Sequence, residues 1–168
     1  MPRPEDHPDY GALDFTIVGG QHLAEIVKAL EAVGNGELAS ELKSALRKAS
    51  RPMVPKVRQA IDRIPSNHDG TLRGEMKKAT HVQFRSSGRE AGITVRVDGR
   101  RMPAHKRTLP AYMEGTKPRW RHPVYGNPEV WVQQPDKSFF YKTVTPFGVE
   151  VKKDIDAVAE RIAKKLTP

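Results

Sequence analysis

An apolar residue recurs every three or four positions from Leu38 to Ile64, through Leu42, Leu46, Ala49, Met53, Val57 and Ile61. Side chains at that spacing share one face of a helix. This stretch must therefore bury a long stripe against another element. The stripe keeps its period through Pro52 and Pro55. A proline inside a helix removes one hydrogen bond and clashes with the preceding turn. Two forms satisfy the pattern: one long helix bent near Pro52, or two helices meeting there. Pro65 closes the segment.

Two further helical stripes flank this one. Leu23, Ile26, Val27 and Leu30 form the first, stopped by Gly34-Asn35-Gly36. Val151, Ile155, Val158, Ile162 and Leu166 form the second, expected from about Pro146 onward, with charged residues on its other face. Thr71 is placed to cap a short helix through Lys78. Strand-like stretches lie between. Leu13 to Val18 is a candidate strand stopped by Gly19-Gly20. Val82 and Phe84, then Ile93, Val95 and Val97, alternate with polar residues across Ser86-Ser87-Gly88-Arg89, as a hairpin would.

The expected class is α+β. A small antiparallel sheet packs against a long N-terminal helical segment and a C-terminal helix, with a long loop before that last helix. Residues 1–12, rich in Pro and Asp, read as a flexible arm, and 13–168 as a single domain. Hydrophobic residues make up 37% of the 168, enough for one modest core and not for two. The loop falls at about 99–138, where prolines and aromatics are frequent and periodicity is weak. Within it Val130 to Gln133 is a candidate strand, and Phe139-Phe140-Tyr141 a candidate continuation after a turn at Pro135-Asp136-Lys137.

Several chemistries find no footing. There is no cysteine, which excludes disulfides, thiol catalysis and cysteine zinc sites. His7, His22, His68, His81, His105 and His122 form no metal-ligating spacing. Neither a nucleophile elbow nor a phosphate-binding loop is present. The expectation is a non-enzyme without a cofactor. The N-terminus has no apolar signal core and no apolar run reaches bilayer length, so the chain is expected in a cytoplasm or in a particle built there, with no membrane partner.

The formal net charge is +9. Much of the excess sits in one window, where Arg100, Arg101, Lys106, Arg107, Lys117, Arg119 and Arg121 are opposed only by Glu114. Arg119-Trp120-Arg121 interleaves cations with an aromatic, as nucleic-acid binders do. An acidic protein neighbour satisfies the same charges equally well. Trp120, Tyr125, Trp131, Phe139 and Phe140 crowd the same region. Aromatics outside regular elements need burial, either on the chain's own core or on a partner, where Trp, Tyr and Arg are enriched. The partner surface is the favoured reading, because the chain already has a sheet-and-helix core.

The run His122-Pro123-Val124-Tyr125-Gly126-Asn127, then Trp131 and Gln134, then Phe139-Phe140, resembles a signature of the tail-completion (neck) proteins of long-tailed bacteriophages. Gly70-Thr71-Leu72-Arg73 after a long helix is similar to an upstream step of that family, and the order of elements matches from about Leu23 to Leu166. Pro52, Pro55 and the basic segment from Arg100 to Lys117 depart from the pattern. The resemblance implies a structural virion protein of the neck, assembled in the bacterial host cytoplasm. It implies a ring subunit, commonly in six copies, that joins the tail to the DNA-filled head between a connector or stopper ring and the tail tube. Interface residues would then be Trp120, His122, Pro123, Tyr125, Gly126, Trp131, Gln134, Phe139 and Phe140, with Pro123 and Gly126 shaping the turn. The alternative is a basic nucleic-acid-binding protein acting through Arg100 to Arg121, and within the neck those charges would face passing genomic DNA or an acidic neighbour.

Overall fold

The computed structural model describes residues 12–65, 70–85, 92–117, 121–124, 127–133 and 135–166. The expected α+β architecture is present. Strands β1 (Ala12–Val18), β2 (Thr80–Arg85) and β3 (Gly92–Asp98) form an antiparallel sheet in the order β1-β3-β2. The register sets Leu13, Phe15 and Ile17 beside Val97, Val95 and Ile93, and these beside Thr80, Val82 and Phe84. Residues two apart share a face, so this face is almost wholly apolar and carries the sheet's side of the core. The other face is polar. There the Arg96 guanidinium grips both carboxylate oxygens of Asp14, and the Thr16 and Thr94 hydroxyls meet at 2.9 Å. β1 takes in Ala12, the last residue of the expected arm.

Helices α1 (Gly20–Val33), α2 (Gly36–Ser50), α3 (Met53–Asp62) and α4 (Thr71–Ala79) follow the stripes. α1 stops at Gly34, whose φ of +68° suits glycine, and the Asn35 side chain accepts the Leu38 N–H to start α2. The stripe through the prolines resolves into two helices. Pro52 is the N-cap of α3 and Pro55 lies in its first turn, where the N–H groups have no partner within the helix. Neither proline therefore costs a helical hydrogen bond. α4 is entered through Gly70 at φ +76°, so Thr71 is its first residue and not its cap.

α3 and α4 close each other's ends. Arg58 on α3 donates to the carbonyls of Lys77 and Thr80, and Arg73 on α4 donates to those of Asp62 and Ile64. Cations at helix C-termini satisfy open carbonyls and oppose the negative end of the dipole.

The last helix, α6 (Tyr141–Leu166), packs on α1, α2, α3 and β1 through Val144, Val151, Ile155, Ala159 and Ile162. It begins five residues before Pro146, which lies inside it. The core forms between this helical layer and the apolar face of the sheet.

The segment at 99–138 is more ordered than a loop. Short 3-10 turns at Gly99–Arg101 and Ala104–Lys106 lead to α5 (Leu109–Glu114). Strands β4 (Arg121–Val124) and β5 (Asn127–Gln133) then form a separate two-stranded antiparallel hairpin. Phe139 and Phe140 do not extend β5. They lead into the start of α6.

Candidate assembly surface

The hairpin is an excursion between two points that are pinned together. α5 ends at Gly115, with φ +82°. Just before it, the buried Glu114 side chain reaches the chain ahead of α6. One carboxylate oxygen accepts the Ser138 hydroxyl and the Tyr141 N–H, each at 2.9 Å. The other accepts the N–H groups of Phe139 and Phe140, each at 2.8 Å. The Lys137 N–H adds a bond of 2.7 Å to the Met113 carbonyl. A helix opens with unsatisfied N–H groups and a positive dipole end. A carboxylate from elsewhere in the chain serves both. The one acid in the basic window is thus the clamp at the base of the hairpin.

In the hairpin, Arg121 lies opposite Gln133, His122 opposite Val132 and Pro123 opposite Trp131, with an irregularity between Pro123 and Val124. Val130, Trp131 and Val132 are 48%, 55% and 44% exposed. Three consecutive strand residues point to alternate faces, so both faces of β5 offer apolar surface to solvent. A two-stranded hairpin is at best marginally stable by itself in water. Contiguous apolar surface of this kind marks an interaction site more often than a scattered exposed residue does. Val130 and Val132 belong to this surface although the sequence reading placed them only in a strand. The signal was available: an apolar run of three in a strand cannot all face one side.

The remaining expected interface residues divide sharply. Trp120, Tyr125, Gly126, Gln134 and Arg119 lie outside the described residues. Phe139 and Phe140 are 4% and 0% exposed and belong to the core, which corrects their assignment to a partner surface. Their rings meet edge to face at 6.5 Å, and Phe140 meets Tyr141 at 5.1 Å. Glu114 draws their backbone toward the body of the protein, and the rings follow into the core.

The basic residues are also divided. Arg100 bonds Asp98, Lys106 meets the Glu75 carboxylate at 3.1 and 3.3 Å, and Arg107 donates to the Met102 carbonyl. Arg100, Arg101, Arg107 and Arg121 are exposed, and Lys106 and Lys117 are half-buried. Among the described cations of the window, Arg100 and Lys106 are paired with carboxylates of the chain itself. Burial pushes the Asp98 carboxyl up, but bonds from the Arg100 side chain and backbone, with the charges of Arg100 and Arg96, outweigh it and hold it below the ordinary value. Tyr141 is pushed above its ordinary value by burial first, then by the carboxylates of Glu114 and Asp14, against a hydrogen bond with the Asp14 backbone.

Among the described residues no group of three His, Asp or Glu side chains could hold a metal ion, and no helix is long and apolar enough to cross a membrane. The arrangement offers a rigid body and a clamped apolar projection. No protein-family model, no curated protein and no solved structure matches the chain.

Proposed function

We propose that the chain is a structural subunit of the neck of a long-tailed phage, working as one member of a ring that joins the tail to the DNA-filled head in a tail-completion or terminator role. The observation that carries this reading is the hairpin, whose Val130, Trp131 and Val132 expose apolar surface on both faces of β5. A subunit that acts by contact needs a body that keeps its shape and a projection that reaches a neighbour. The α6–sheet core is the first and the clamped hairpin is the second. The resemblance of the run from His122 to Phe140 to neck proteins supplies the kind of assembly, with a connector or stopper ring on one side and the tail tube on the other. The function is one of binding, with no catalytic step.

The nucleic-acid alternative draws less support. Arg100 and Lys106 are already paired with carboxylates of the chain itself.

The deciding experiment uses a phage whose genome encodes this chain. Trp131→Ala is expected to leave filled heads and finished tails unjoined in electron micrographs, with the variant still folded. A normal yield of joined particles would falsify the assignment.

A further inference from the structure

The hairpin has a complement on the same molecule. Two clefts, each of about 470 Å3, meet at Phe84 on β2. The first runs between α1 and α2 and is lined by Val27, Leu30 and Glu31 among others. The second is lined by Val54 and Val82, with Arg47 of α2 and Arg51 at its C-cap, both exposed. None of the lining residues comes from β4 or β5. β2 is an edge strand, and among the described residues no strand pairs with its outer side. Such an edge is a ready template for another extended segment.

The faces of the hairpin carry a matching order of charge. Glu129 and Trp131 lie on one face of β5 together with Gln133, and Arg121 sits opposite Gln133 and shares that face. Along the hairpin this face reads carboxylate, indole, guanidinium. Across the clefts the order is Arg47 and Arg51, then Phe84, then Glu31 and Lys43, so one end is doubly basic and the other carries one charge of each sign. We infer that the hairpin of one copy docks in the α2–β2 clefts of a second copy, with Trp131 on Phe84, Glu129 toward Arg47 and Arg51, and Arg121 toward Glu31.

Apolar contact supplies the attraction, and the pairing of Glu129 with the two arginines fixes the direction. The reversed orientation sets Arg121 on Arg47 and Arg51, a like-charge arrangement that costs free energy. The contact joins two different surfaces, so each copy gives one hairpin and receives another. Such a head-to-tail contact closes into a ring when its rotation allows. The inference rests on the assembly reading above and names the partner and seat of its projecting hairpin.

The test measures the mass of the full chain by sedimentation across a concentration series. The unmodified protein is expected to associate into a closed oligomer. Glu129→Arg alone, and Arg47→Glu with Arg51→Glu, should each weaken self-association by about tenfold or more. An equimolar mixture of these two variants should recover it, because every hairpin then finds an oppositely charged cleft on the other variant. All the changed residues are exposed, so circular dichroism should match the unmodified chain in each case. A chain that stays monomeric at every concentration overturns the inference, as does a mixture that recovers nothing. Loss of salt-sensitive single-stranded DNA binding on Arg47→Glu/Arg51→Glu, with self-association unchanged, assigns the clefts to nucleic acid and also overturns it. Association indifferent to the charge reversals removes this interface but leaves the neck reading intact, since that depends on the particles formed by Trp131→Ala.

Discussion

The Glu114 carboxylate accepts the Phe140 N–H at 2.8 Å, so the residue that ends α5 caps the start of α6 across 26 positions of chain. The bond ties the hairpin's entry to its exit. It also explains why α6 starts at Tyr141, ahead of Pro146. With four donors on two oxygens, the carboxylate is nearly saturated, which is what allows a charged side chain to be buried.

Replacing Glu114 with Gln keeps the shape but turns one acceptor into an NH2 donor, which then faces N–H groups. The expected loss is about 3 kcal/mol, in the range for removing charge-assisted bonds and stranding buried donors. Urea unfolding gives the magnitude. Hydrogen exchange gives the place: the amides of Phe139, Phe140 and Tyr141 should exchange faster while the middle of α6 is protected as before. Uniform loss of protection throughout α6 would count against a local cap.

Gly115 is fixed by the same clamp. Its φ is +82°, and a Cβ there would stand 2.9 Å from an Asp136 carboxylate oxygen. Gly34 has a similar φ of +68° but open space around the same position. Gly34→Ala should therefore cost about 1 kcal/mol for the left-handed backbone. Gly115→Ala should cost more, about 2 kcal/mol, because the backbone cost is joined by the displacement of Asp136. Thermal melts of the two variants side by side decide it, and equal losses would mean that the Asp136 contact is easily relieved.

Two groups give stability pH dependences of opposite sense. The folded Asp98 carboxyl titrates below its ordinary value of 3.8, so its contribution is complete above that value and is lost as pH falls through it toward the folded pKa. Tyr141 behaves in the opposite sense. Its folded pKa lies above the ordinary 10.0, so the folded state holds the proton longer, and stability falls as pH rises from about that value. Asp98→Asn should flatten the acid limb of a stability–pH curve, and Tyr141→Phe the alkaline limb. An acid limb unchanged in Asp98→Asn would remove Asp98 as its source.

The elements built on period were legible in the sequence because burial imposes that period on the residues. Leu42, Leu46, Val57 and Ile61 are buried where the stripe placed them, and Leu13, Val95 and Val97 where the alternation did. The region from Gly99 to Phe140 was less legible for a definite reason. Its order comes from single long-range bonds, and Glu114 to Phe140 leaves no periodic trace. Aromatic content alone did not distinguish Phe140, in the core, from Trp131, on the surface. Nor did the run of cations reveal that Lys106 would meet Glu75. Arg47 and Arg51 did leave a trace, since with Lys43 they recur at four-residue steps along α2 and its C-cap, but a charged helix face usually means solvent.

Trp131 and Phe140 should separate assembly from stability. Phe140 is fully buried and packed edge to face with two rings. Phe140→Ala removes a large core side chain and leaves a cavity, at a cost of about 4 kcal/mol. Trp131 is 55% exposed on the hairpin, against 0% for Phe140, so about half of its surface stays open in the isolated chain. Trp131→Ala should cost about 1 kcal/mol, well short of Phe140→Ala, yet weaken any contact made by the hairpin, since buried aromatics dominate interface energies. Denaturant midpoints and sedimentation on the same two variants give the comparison. The expected pattern is crossed: Phe140→Ala lowers the midpoint strongly, while Trp131→Ala lowers it little and lowers the mass. A Trp131→Ala variant that loses stability as Phe140→Ala does would mean that the hairpin packs on its own body, and the outward-facing surface on which the assembly reading stands would be gone.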